Sequence, residues 1–70
     1  MKYLIVIETT PTGFSAFSPD LDGCVATGAT GEEVEQRMKE AIEFHLEGLR
    51  ADGQPIPPPQ SSSSYIDVPA

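Results

Sequence analysis

Thr30-Gly31-Glu32-Glu33-Val34-Glu35-Gln36-Arg37-Met38-Lys39-Glu40-Ala41-Ile42-Glu43-Phe44-His45-Leu46-Glu47-Gly48-Leu49-Arg50 is the stretch that decides how this chain folds. At about 100° per residue, Val34, Met38, Ala41, Ile42, His45, Leu46 and Leu49 fall on one apolar stripe. Gln36, Lys39, Glu40, Glu43, Glu47 and Arg50 lie opposite. That period is helical, and its start is marked. Thr30 can cap the backbone amide three positions on, while Glu33 can reach back to the amide of Thr30 itself. Glu32 and Glu33 also suit the positive end of the helix dipole. Gly53 provides a left-handed stop, and Pro55 forbids continuation. The stretch predicts one amphipathic helix of roughly five turns.

Three short strands precede it. Residues 2–9 are rich in β-branched and aromatic types and end at the turn cluster Thr9-Thr10-Pro11-Thr12-Gly13. Residues 13–18 form the second strand, Pro19-Asp20-Leu21-Asp22-Gly23 breaks the chain, and residues 24–28 form the third. Short links between them imply an antiparallel meander. After the helix, residues 54–63 (Gln-Pro-Ile-Pro-Pro-Pro-Gln-Ser-Ser-Ser) form a spacer that starts stiff and becomes flexible. Tyr65-Ile66-Asp67-Val68 alternates and reads as a fourth strand. The fold class is therefore α+β, in the order β-β-β-α-β. The long helical crossover suits a fourth strand lying beside the first and parallel to it.

Both faces of this sheet carry apolar side chains. Tyr3, Ile5 and Ile7 point one way, Leu4 and Val6 the other, and Phe14 with Ala16 oppose Ser15 with Phe17. One helix covers one face only. The uncovered face, with Leu4, Val6 and Phe17, is the expected surface of self-association into a homodimer or tetramer.

Size and charge narrow the function classes. Seventy residues make one domain, spanning 1–70. A chain this short buries only about 60% of the surface its unfolded form exposes. With one cysteine, Cys24, and one histidine, His45, a disulfide is excluded and a zinc cluster disfavoured, which leaves self-association as the stabilising device. Eleven Asp and Glu against four Lys and Arg give a formal charge of −7. That balance argues against holding phosphate backbones and favours a basic protein partner. The opening Met1 to Glu8 superficially suggests a signal peptide. Its apolar run is too short, so it reads as a strand in a cytoplasmic protein with no membrane span.

Candidate chemistry is thin. A Cys24–His45 nucleophile–base pair needs a lowered thiol pKa, and the spacing does not bring the two together. The plainer reading makes Cys24 a small buried hydrophobe and His45 a side chain at the edge of the core. Glu8 and Asp67 at strand ends could join helix acids around magnesium, yet most helix acids lie on the outward face. Asp20 and Asp22 supply too few oxygens for calcium and suit a turn. No cofactor is expected, and the chain is not expected to be an enzyme.

From Phe14 onward the sequence resembles the HicB antitoxin family. The resemblance is carried by Phe17-Ser18-Pro19-Asp20-Leu21-Asp22-Gly23-Cys24-Val25-Ala26-Thr27-Gly28, by Thr30-Gly31-Glu32-Glu33, and by Glu40-Ala41-Ile42-Glu43-Phe44-His45-Leu46-Glu47-Gly48-Leu49. Asp52-Gly53-Gln54-Pro55-Ile56-Pro57-Pro58-Pro59 completes it. Taken in order these motifs are specific, though each alone is weak. The resemblance implies a partial RNase H-like fold with no catalysis of its own. It implies binding to a small basic HicA-type ribonuclease that cleaves messenger RNA, with assembly into dimers or tetramers. The family often has Pro where this chain has Asp22, which makes the loop more acidic. Many relatives also carry a C-terminal DNA-binding domain; this sequence stops at Ala70, so none is expected here and operator binding is not implied.

The expected function is that of an antitoxin, with Asp20, Asp22, Glu40, Glu43 and Glu47 as the residues meeting the toxin. A solitary oligomeric regulatory or scaffold domain without a toxin is the second reading. A magnesium-dependent RNase H-like nuclease is the third.

Overall fold

A computed structural model describes residues 1–69. Its elements are β1 (Val6–Thr10), β2 (Gly13–Phe17), β3 (Val25–Gly28) and α1 (Gly31–Ala51). The strands form one antiparallel sheet in the order β1-β2-β3, as the turn residues between them require. Val6 faces Phe17 and Thr10 faces Gly13, while Phe17 also faces Val25 and Phe14 faces Gly28. This register places Phe14, Ala16 and Ala26 on the helix side and Val6, Phe17 and Val25 on the outer side.

The helix starts and stops by the devices its sequence carries. Thr30 is extended, and its hydroxyl accepts the Glu33 amide at 3.1 Å. Glu33 reaches back as expected, but to the amide of Ala29 and not to that of Thr30. The same carboxylate holds Arg37 at 2.9 Å, and Arg37 also donates to the Thr27 carbonyl. That second attraction draws Glu33 past the reciprocal cap and ties the first turns of α1 to β3. At the other end Gly53 takes φ of 67°. Gln54 N–H then donates to Leu49 and Gly53 N–H to Arg50, the paired bonds of a Schellman stop.

Val34, Met38 and Leu46 are the buried residues of α1, and they close on Ala16, Leu21 and Cys24. Leu21 belongs to the loop between β2 and β3, yet it is among the most buried side chains. The loop folds inward because Leu21 N–H donates to Ser18 and Cys24 N–H donates to Leu21. The helix lies over β2 and β3, not over β1.

Two strand expectations are corrected. The first strand was expected over 2–9, but the ladder begins only at Val6. Its partner β2 ends at Phe17, and the next residue, buried Ser18, spends its hydroxyl on the Leu4 carbonyl. Residues 1–5 therefore lie outside the ladder. The fourth strand, expected parallel to the first, is not formed among the described residues. The chain after α1 is caught elsewhere: Tyr3 OH donates to the Pro57 carbonyl, and Asp20 holds Gln60 and Ser61.

Two glycines on α1 and its approach should respond oppositely to a methyl group. A Cβ on Gly28 would sit 2.7 Å from the Val34 backbone nitrogen, so close approach of β3 to the helix needs glycine there. Gly28→Ala should lower stability by about 1–3 kcal/mol in urea unfolding. A Cβ on Gly48 meets nothing within 4 Å. Gly48→Ala should raise stability by about 0.5–1 kcal/mol in the same assay.

Candidate partner-binding surfaces

The outward side of α1 carries Glu40, Glu43 and Glu47, all exposed. Over its full length the helix holds six acidic and three basic side chains. Arg37 is engaged with Glu33 and Thr27, which pairs one cation with one acid and leaves the helix's net negative charge unchanged. Gln36 donates to Glu40 at 3.1 Å and fixes one carboxylate of the strip. Beside these acids stands Phe44, 78% exposed. An aromatic ring of that size in water is a large unmet apolar surface. Its position was legible: Phe44 falls just outside the apolar stripe of the helix, so no core residue could cover it.

Phe44 borders a groove formed with Val25, Ala41, Gly48 and the Gly23–Cys24 turn. Val25 is exposed as well, and Gly48 leaves the floor flat. Asp22 is exposed on the loop that forms one rim of this region. The groove also places Cys24 and His45 along one wall, which sequence spacing did not anticipate. They do not form a catalytic pair. Cys24 is buried, burial pushes its thiol up, and no hydrogen bond joins it to His45 among the described residues. A raised thiol is a poor nucleophile. Among the described residues no three His, Cys, Asp or Glu side chains converge to hold a metal ion.

Asp20 stands apart from the helix acids. One carboxylate oxygen accepts the Gln60 and Ser61 amides, each at 3.1 Å, and the other accepts the Ser61 hydroxyl at 2.9 Å. The Ser61 backbone bond is the main cause holding this carboxyl below its ordinary value of 3.8. Burial pushes the other way, and the Ser61 hydroxyl and Gln60 amide reinforce the lowering. Asp20 is the pin of the C-terminal tail, a role that sequence spacing across forty residues does not reveal.

A third surface is apolar. On the outer side of the sheet Leu4 and Val6 are half-buried, and Phe17 and Val25 are exposed. At the β1 edge, Tyr3 and Ile5 turn toward the helix and pack on the core. Because α1 lies over β2 and β3, an open groove remains there, walled by Met1, Tyr3 and Ile5 on one side and Met38, Ile42 and Leu46 on the other, with exposed Glu35, Lys39 and Glu43 also lining it. No helix among the described residues is long and apolar enough to cross a membrane.

A meander, one capped helix and an acidic outer strip are the features of a small protein-binding module. The family model described as the HicB-like antitoxin of bacterial toxin–antitoxin systems matches residues 3–70, and the chain belongs to that family. It is 38% identical over 69 residues to an uncharacterized 14.9 kDa protein from the rep-hol intergenic region of Haemophilus phage HP1. That match takes in 99% of this chain but 52% of the phage protein, so the chain spans about half of that relative's length. A UPF0150 protein of Synechocystis is 49% identical over 57 residues, covering 80% of this chain and 72% of its own. Among solved structures, a chain of a HicA3 and HicB3 toxin–antitoxin complex superimposes with a TM-score of 0.73 at 38% identity. The superposition covers 84% of this chain and 70% of that one.

The Asp20 pin should be acid-labile. A carboxyl whose folded value is lowered contributes stability above its unfolded value and loses it as pH falls through the folded one. The Ser61 amide resonance should therefore shift to a released position as pH drops below 3.8. Asp20→Asn should place that resonance in the released position already at neutral pH, with the circular dichroism of the helix unchanged.

Proposed function

We propose that this chain is the antitoxin of a HicA-type pair, a cytoplasmic protein that occupies a small basic ribonuclease and acts by binding, not by catalysis. The observation that carries the reading is the 38% identity and TM-score of 0.73 to a chain of a toxin–antitoxin complex, set beside membership of the antitoxin family. The geometry supplies a surface suited to the task. Glu40, Glu43 and Glu47 present negative charge where a ribonuclease would otherwise meet phosphate, and Asp22 extends the acidic rim. Phe44 stands beside them as an aromatic anchor, and flanking polar groups that exclude water make such anchors effective. The acids steer the encounter and the ring holds the complex. Asp20 contributes indirectly, by fixing the path of the tail past this end of the sheet.

Co-expression with a small basic HicA-type ribonuclease should restore growth and yield a complex that survives purification. Phe44→Ala should weaken that complex by about tenfold or more, chiefly through faster dissociation. Replacing Glu40, Glu43 and Glu47 by Gln should slow association and flatten its dependence on salt. Absence of both rescue and complex would overturn the reading.

A further inference from the structure

Residues 65–68 have the pattern of a strand and no ladder partner among the described residues. Tyr65, Ile66 and Val68 are 102%, 78% and 77% exposed. The molecule is drawn out to 49 × 26 × 17 Å, and its radius of gyration is 13.9 Å. A compact chain of this length would have about 11 Å. The tail is not loose where it leaves: Tyr3 holds Pro57, and Asp20 holds Gln60 and Ser61. Ser62-Ser63-Ser64 then lead, without regular structure, to the strand pattern.

The same molecule has a vacant place of matching shape. β1 is an edge strand, and residues 1–5 precede it outside the ladder. An open edge of this kind is a template for another strand. Beside it lies the groove between Tyr3 and Ile5 and the helix residues Met38, Ile42 and Leu46, with a volume of about 530 Å³. An apolar cavity of about 150 Å³ already holds a benzene ring, so this one has room for two or more aliphatic side chains. The helix, lying over β2 and β3, leaves that place uncovered in the single chain.

We infer that a second copy of this chain fills the groove with its own C-terminal strand. Residues 65–68 of each copy add to the β1 edge of the other, in the place expected for a fourth strand, giving a reciprocal exchange. Ile66 and Val68 share one face of the tail and enter the apolar groove. Tyr65 and Asp67 take the opposite face, where Tyr65 joins Leu4, Val6 and Phe17 on the outer side and Asp67 stays in water. Each chain carries both the donor strand and the acceptor edge, so a twofold pair satisfies both at once and closes. The assembly does not depend on the toxin, and it leaves Glu40, Phe44 and Glu47 free, while Glu43 borders the groove.

Two measurements on the intact protein test this without any partner. Sedimentation equilibrium should return at least twice the 7.5 kDa chain mass. Hydrogen exchange should find the amides of residues 66–68 protected, with protection falling on dilution as the assembly dissociates. A monomer would overturn the exchange, whether its tail amides were protected on their own chain or free. An oligomer whose tail amides exchange like an unstructured peptide would overturn it too. Ile66→Pro removes a ladder donor from a segment outside the folded unit, so helix content should persist. Self-association should weaken by about tenfold or more. Unchanged association in that variant would sink the inference while leaving toxin binding untouched.

Discussion

One helix sealing one face of three strands is the constraint from which the rest of the molecule follows. Val34, Met38 and Leu46 supply the helix side of the seal, and Ala16, Leu21 and Cys24 supply the other. So few buried side chains leave little reserve, because small domains bury a modest share of their surface. The contact must therefore be close. Gly28 lets β3 approach the first turn of the helix, and Leu21 turns a loop into part of the core. The same closeness seats the helix over β2 and β3 and leaves the β1 flank open.

Polar bonds then position what burial alone leaves free. The Ser18 hydroxyl holds the N-terminal residues to the sheet through Leu4. Arg37 ties helix to β3 through the Thr27 carbonyl, an exposed contact worth a few tenths of a kcal/mol that sets direction more than stability. Asp20 fixes the tail further along, beyond the Tyr3–Pro57 bond and the packing of Ile56 on the core that guide it out of α1. Each of these links joins segments far apart in the chain, and each uses a side chain at the margin of the core.

The consequence for function is a division of labour between surfaces of different chemistry. The outer side of the helix is acidic, with Phe44 exposed beside the carboxylates; the far side of the sheet and the β1 edge are apolar. Charge attracts at a distance and discriminates among partners, whereas apolar area drives contact without sign. The acidic strip and the β1-side groove are different surfaces that share Glu43 at their border. The Cys24–His45 wall illustrates the limits of proximity: two reactive residue types line one groove, but burial raises the thiol and no bond orients the imidazole.

Much of this was legible before any coordinates, because it is written in local periodicity. The helix, its Thr30 cap and Gly53 stop, the three strands and the two-faced apolar sheet all depend on residues within a few positions of one another. What the sequence could not supply were distances between remote segments. Only the tertiary structure decided that Asp20 pins Ser61, that Cys24 lies near His45, and that the helix leaves the β1 edge bare. It also decided that Tyr65 to Val68 finds no ladder partner among the described residues, since a strand pattern specifies a need for hydrogen bonds while the fold determines where an open edge lies.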